Sequence, residues 1–155
     1  MVKKFSIFTI LFIICDQLLK QLIVNQIDLY QNIVVIKNIF NITHVHNTGA
    51  AFSILDNNIP LLIGISLIAL ILIYYLLIKD NILTKLDILI YSLLIGGIIG
   101  NLIDRIIFGY VIDYLSVIII NYNFPIFNLA DIGIVVAVFL IAIKTIKEEV
   151  CKSSK

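Results

Sequence analysis

Four apolar runs dominate this chain, at about 5–24, 59–78, 86–108 and 127–143. Each is long enough to cross a bilayer, which takes about 20 residues of helix. In hydrocarbon no water can bond a free N–H or C=O, so an isolated span has the α-helix as its conformation. Composition agrees: 61% of the 155 residues are hydrophobic and 14% charged, against roughly a quarter charged in soluble domains. The expectation is an all-α membrane protein, one integral domain over 1–155 with four transmembrane helices and no room for a separate soluble unit. A net charge of +1 speaks against nucleic acid as a partner.

Cations set the orientation, because Lys and Arg gather on the cytoplasmic side. Lys3, Lys4, Lys79, Lys85, Lys144, Lys147, Lys152 and Lys155 all fall on one side if both termini face inward. Only Lys20, Lys37 and Arg105 fall elsewhere. The first run has the basic start of a secretory signal, but Ile13, Ile14 and Cys15 offer no small-residue cleavage site, so it is expected to stay as a helix. Cys15 and Cys151 lie on widely separated segments, which argues against a disulfide.

This topology brings the polar residues of the apolar runs to one leaflet. Asp16 and Lys20 lie in the outer half of the first span, Asn101, Asp104 and Arg105 at the outer end of the third, and Asn128 and Asp131 in the first turns of the fourth. The stretch GNLIDRIIFGYVIDY, 100–114, holds the chain's only arginine together with Asp104 and Asp113. A charged side chain at mid-membrane costs roughly 2.5–3.5 kcal/mol on insertion scales, so such a cluster calls for partners or for a task. Bland readings exist for most of it. Asp16 and Lys20 at i and i+4 can form a helical ion pair, Arg105 can snorkel while Asp104 is solvated, and Asn128 with Asp131 resembles an N-cap with an acidic third position.

Asp113 resists such a reading. It follows Gly109 in a segment too short for a fifth span, and apolar Val111, Ile112 and Leu115 hold it against the membrane with nothing nearby in sequence to neutralise it. If the outer ends of spans three and four adjoin, Asp113 lies beside Asp131. Two carboxylates that close cannot both ionise, and their pKa values split. Aspartic peptide hydrolysis needs that splitting, since one member takes a proton from water while the other donates to the scissile carbonyl. It needs no metal or other cofactor. The same pair also fits proton-coupled transport or a cation site.

An outer segment, about 25–58, separates the first two spans. Its middle, NIFNITHVHNTGAAFSI, is rich in β-branched and aromatic residues and breaks at Asn47, Thr48 and Gly49, which predicts short strands leading into a turn and a small sheet on the outer leaflet. His44 and His46 would share a strand face there; two His with a carboxylate could ligate zinc, but a wet strand face accounts for them adequately. The run Gly49, Ala50, Ala51 permits close approach of a backbone. Gly96, Gly97 and Gly100 make a small-residue face on the third span, suited to tight helix packing. The tyrosines near the predicted interfaces suit an aromatic belt, and the tail KTIKEEVCKSSK reads as a solvated end.

The motifs DQLLK (16–20), NTGAAFS (47–53), GNLIDR with GYVIDY (100–114) and FNLAD (127–131) together resemble the ordered motif set of the lipoprotein signal peptidases, the bacterial signal peptidase II family. The likeness covers essentially the whole chain. It implies an aspartic endopeptidase of the bacterial inner membrane that cuts prolipoproteins before a diacylglyceryl-modified cysteine and is inhibited by the cyclic peptide globomycin. It implies four transmembrane helices with an outer β-cradle between the first two and a small mobile outer helix, working among membrane lipids, with a monomer as the expected state. By motif position Asp113 and Asp131 take the catalytic roles. Asn128 would orient the pair, and Asp16, Lys20, Asn47, Gly49, Asn101, Asp104, Arg105 and Ala130 would support it or bind substrate. The sequence departs mildly from the family pattern: Tyr114 stands where Phe is frequent, Gly133 closely follows the second aspartate, and the loop before Pro125 has Tyr122 and Phe124 but no Trp. Two other classes remain open on the residues alone. A proton-coupled transporter would favour midplane carboxylates and repeated halves, neither visible here, and a non-catalytic scaffold would tolerate amides at both aspartates.

Overall fold

The computed structural model describes residues 2–49, 55–79, 83–120 and 122–153. Four helices have the length and hydropathy of membrane spans: Lys4–Gln26, Ile59–Ile78, Lys85–Phe108 and Leu129–Cys151. They belong to α1 (Val2–Gln26), α2 (Ile59–Ile73, continued by a π-helical turn at Tyr74–Ile78), α3 (Lys85–Phe108) and α4 (Leu129–Ser153). The first three match the expected spans to within a few residues. The fourth begins two residues later than expected and does not stop at 143.

The C-terminal tail is exposed, as expected of a solvated end, and is helical through Ser153. Lys and Glu are good helix formers, and Lys144 reaches Glu148 one turn on at 3.7 Å. Lys144 also pairs with buried Asp87 near the start of α3, where Thr84 and Asp87 form a reciprocal capping box. The far end of α4 is thereby fixed to α3.

α3 is the central helix, with more than half of its spanning window buried against 17% or less for the others. Ile90, Tyr91, Leu94 and Ala137 form the apolar core, with Phe5 of α1, Ile73 of α2 and Ile134 and Ile141 of α4 packed around it. The outward faces carry exposed Ile, Leu, Val and Phe, as lipid contact demands. The glycine face performs the expected packing. A Cβ on Gly97 would stand 2.5 Å from the Ala130 carbonyl oxygen, and one on Gly100 would stand 2.6 Å from Asp16 Oδ2. Gly97 therefore lets α4 close on α3, while Gly100 makes room for a carboxylate of α1.

The sheet corrects the sequence-based expectation. It is not confined to the segment between the first two spans, because four antiparallel strands run in the order β1 (Asn32–Ile36), β2 (Phe40–Asn47), β3 (Val111–Ile119), β4 (Tyr122–Asn123). Half of it thus comes from the connection between α3 and α4. Gly109, left-handed at φ 78°, ends α3 and turns the chain directly into β3. There Asp113 pairs with Val45 across a bulge in β2 between Ile42 and Val45. The histidines divide: His44 is buried with Nδ1 2.9 Å from the Ile27 carbonyl oxygen and so is not on a wet face, whereas His46 is half-buried and stacks on Tyr110. Ala50 and Ala51 lie outside the described residues, and no small outer helix stands among those described.

Gly97→Ala should lower the thermal unfolding temperature in detergent by the equivalent of about 1–3 kcal/mol, the usual cost of overpacking. Gly64→Ala, with nothing within 4 Å of its added carbon, should be neutral or gain up to about 1 kcal/mol from helix propensity. Equal effects at the two positions would contradict the assigned packing.

Candidate active site

The cluster starts from one buried cation. Lys20 is 1% exposed, and its ammonium lies 2.9 Å from Asp16 Oδ2, 2.8 Å from Asp104 Oδ2 and 2.9 Å from Asn101 Oδ1. Both carboxylates are fully buried. The helical ion pair anticipated between Asp16 and Lys20 exists, but Asp104 is not solvated as its bland reading held. It is a second counter-ion, and it joins α3 to α1. Gln17, to which the sequence reading gave no role, completes this layer by donating to Asp104 Oδ1 at 2.9 Å and to the Gly100 carbonyl at 3.2 Å. Its signal was present, since it stands inside the DQLLK motif.

The next layer is the N-terminus of α4, whose first amides have no partner within the helix. Each finds one elsewhere. Leu129 N–H donates to the Tyr114 hydroxyl, Ala130 N–H to Asp16 Oδ1, and Asp131 N–H to Asn128 Oδ1, while Asp131 Oδ2 accepts from Asn128 N–H. The cap expected from Asn128 and Asp131 is therefore present in reciprocal form. Buried Ala130 contributes a backbone amide, and its missing bulk suits the contact with Gly97 and Gly100. Tyr114, noted in the sequence only as a departure, sets the start of α4 against β3.

Upon these two layers sit Asp113 and Asp131, joined through shared amides. Asn128 Nδ2 donates to Asp113 Oδ1 at 2.6 Å and to Asn101 Oδ1 at 3.1 Å, while Asn101 Nδ2 donates to Asp131 Oδ1 at 2.8 Å. Asn47 Nδ2 donates to Asp113 Oδ2 at 2.7 Å. Two strands, β2 and β3, and two helices, α3 and α4, thus converge on two carboxylates. Each of the four carboxylate oxygens accepts one of these bonds, leaving a second lone pair on each for a water or a substrate. Burial first, and the charge of Asp131 second, push the Asp113 carboxyl up to about 7, against the pull of its two amides.

Both aspartates line a cavity of about 860 Å³ whose other walls include Asn47, Asn101, Arg105, Val111, Phe127, Ile132 and Val135. Arg105 Nη2 donates to the Gly49 carbonyl at 3.1 Å, which turns its guanidinium inward and away from the snorkelling position its bland reading gave it. His46 and Asp56 also reach the cavity, with Asp56 bonded to the Thr48 hydroxyl; neither had been assigned a place there. All eleven residues named from the motifs therefore fall in one connected constellation. Among the described residues, no three His, Cys, Asp or Glu side chains are grouped as a metal site would need.

Spanning-length helices, a small sheet on one end and an open, carboxylate-lined cavity between them define a multi-pass membrane protein with a polar site in an apolar wall. The model of the signal peptidase (SPase) II family matches residues 8–147. The chain is 39% identical over 150 residues to the lipoprotein signal peptidase of Geobacter metallireducens, covering 94% of this chain and 91% of that one. It is 40% identical over 143 residues to the lipoprotein signal peptidase of Francisella tularensis subsp. novicida, covering 89% and 88%. A solved bacterial membrane enzyme superposes with a TM-score of 0.91 at 34% identity, over 100% of this chain and 94% of that one. A second does so with a TM-score of 0.84, also at 34% identity, over 95% of each chain. This chain belongs to the signal peptidase II family.

Lys20→Met should destabilise the protein by about 3–5 kcal/mol, because it strands two buried carboxylates without their cation; a thermal shift within error of wild type would refute the role given to Lys20. A second prediction concerns Asp113. Folded, it keeps its proton up to about pH 7, whereas the ordinary value is 3.8. The folded state then binds more protons than the unfolded state between those limits, and stability falls as pH rises through that window. Asp113→Asn cannot ionise, so its stability relative to wild type should increase across the window and level off above it. Melting curves taken over a pH series test this, and a constant difference would reject it.

Proposed function

We propose that this protein is an aspartic endopeptidase that removes the signal peptide from diacylglyceryl-modified prolipoproteins by cutting before the lipidated cysteine. Family membership supports the substrate class, and the observation that carries the mechanism is the amide-linked pair Asp113 and Asp131 at the wall of a largely apolar cavity. In this reading Asp131 takes the base role, because the N-terminus of a helix favours negative charge. Asp113, holding its proton up to about pH 7, is the acid.

Asp131 draws a proton from water as the water oxygen attacks the scissile carbonyl, and Asp113 donates to the carbonyl oxygen. In the collapse of the resulting gem-diol, Asp131 passes its proton to the leaving nitrogen and the C–N bond breaks. Asp113 recovers its own proton from the second hydroxyl. The products are a signal peptide with a new carboxyl end and a chain beginning at the lipidated cysteine. Asn47, Asn101 and Asn128 hold the two carboxylates against mutual repulsion. Arg105 and Gly49 form the edge of the cavity where a peptide backbone can bond, and Asp16, Lys20, Asp104 and Ala130 brace the elements beneath.

Positive charge distribution supports both termini in the cytoplasm and the site near the outer leaflet of the bacterial inner membrane. Acyl chains on the cysteine then rest in that leaflet and hold the adjoining bond at the depth of the carboxylates, so that anchoring supplies positioning. We assign the working unit as a monomer, with membrane lipids around it and no cofactor, and globomycin as an inhibitor.

Asp113→Asn and Asp131→Asn, each expressed at wild-type level, should abolish cleavage of a lipidated precursor by the purified protein. The wild-type rate should decline as pH rises through about 7 and Asp113 loses its proton, and globomycin should block it. Cleavage retained in either variant would reject the paired-carboxylate mechanism.

A further inference from the structure

A second groove, of about 530 Å³, lies beside the main cavity and is lined by Asn32, Asn41, Thr43, Ser116 and Asn123, with Phe124, Pro125 and Ile126 at its border. Strand register explains why these polar residues meet. Asn32 pairs with Thr43, Asn41 with Ser116, and Ile118, two residues beyond Ser116, with Asn123. Cross-strand partners share a face and side chains alternate with period two. Every strand of the sheet therefore contributes an amide or hydroxyl to one face, the one opposite Asp113.

Four of these side chains are unused. Among the described residues no protein group bonds the side chains of Asn32, Asn41, Ser116 or Asn123; Thr43 alone is committed, to the Gln31 carbonyl at 2.7 Å. Asn41 is the most buried of the four, at 9% exposed, and its amide keeps its donors and its acceptor for whatever occupies the groove. A hydrogen bond gained by such an amide contributes about 0.5–1.5 kcal/mol. Four such groups on one face suit a polar ligand.

The lining selects the ligand's chemistry. It holds no charged side chain, whereas a phosphate or acidic headgroup would call for Lys or Arg. Each Asn offers both a donor and an acceptor, matching the alternating N–H and C=O groups of an extended peptide. Position selects the source, since Phe124, Pro125 and Ile126 wall both this groove and the main cavity. A chain leaving the main cavity over this segment enters the polar face directly.

We infer that this groove is a subsite for the polypeptide that follows the lipidated cysteine, binding its backbone through Asn41, Ser116 and Asn123; the inference rests on the peptidase reading above. Two diacylglyceryl-modified precursors test it, alike in signal and cysteine. One ends shortly after the cysteine, and the other continues for about ten polar residues, an extended reach of roughly 33 Å. The wild-type protein in lipid bicelles should show a lower KM for the longer precursor. Asn41→Leu with Ser116→Val, and separately the exposed Asn123→Ala, should raise that KM about five- to tenfold, the size of one or two lost hydrogen bonds. Neither should change kcat, nor the KM for the shorter precursor.

Equal KM values for both precursors in the wild type would overturn the subsite while leaving the peptidase reading intact. So would a variant effect of the same size on both, which would mark a structural or lipid-binding role. If the wild type cut neither precursor, the peptidase reading would fall and the subsite with it. Because Asn123 is on the exposed edge of the sheet, its variant keeps the test decisive if the double variant does not fold.

Discussion

One ammonium between two carboxylates governs this molecule. Each of Lys20, Asp16 and Asp104 would be a costly uncompensated charge in an apolar bundle without the others, so the three residues enforce one another's place. Their geometry fixes the rotation of α1 against α3, because Asp16 and Lys20 occupy a single face of α1. It also fixes what lies next to them. Asp16 uses its second oxygen for the Ala130 amide, and Lys20 turns Asn101 so that its amide nitrogen faces Asp131. The buried ions therefore determine the site one bond removed from it.

The start of α4 converts that arrangement into a functional geometry. Its unpaired amides are met by Asp16 from α1, Tyr114 from β3 and Asn128 of its own cap. A helix terminus held from three directions cannot fray or shift, and Asp131 is in its first turn. Asn128 serves the cap with its oxygen and Asp113 with its nitrogen, so the two carboxylates are registered to each other by one side chain. Gly97 and Gly100 are the steric condition for all of this, since a larger residue at either would collide with Ala130 or Asp16.

The sheet brings in the other carboxylate. A strand following α3 directly, with Gly109 as the pivot, carries Asp113 to the mouth of the bundle, and β2 contributes Asn47 from the far side of the sequence. Antiparallel pairing of β2 with β3 is long-range, and it supplies one wall of the cavity beside the helices. The amide-lined face on the reverse of the same strands follows from the same pairing.

Much of this was legible in the sequence. Spans follow from length and hydropathy, because lipid admits few alternatives to helix, and the four motifs mark the bonded polar cluster, though not His46 or Asp56 at the cavity wall. The Asn128 cap and the glycine packing face were readable because both are local patterns. Tertiary structure alone decided the rest. Asp104 became a counter-ion instead of a solvated group because α1 presented Lys20 to it, and His44 was buried because the chain after α1 folds over it. β3 entered the sheet because β2 offered a free edge at that height. Local pattern specifies which groups must be satisfied; only the packed chain specifies which partners, distant in sequence, satisfy them.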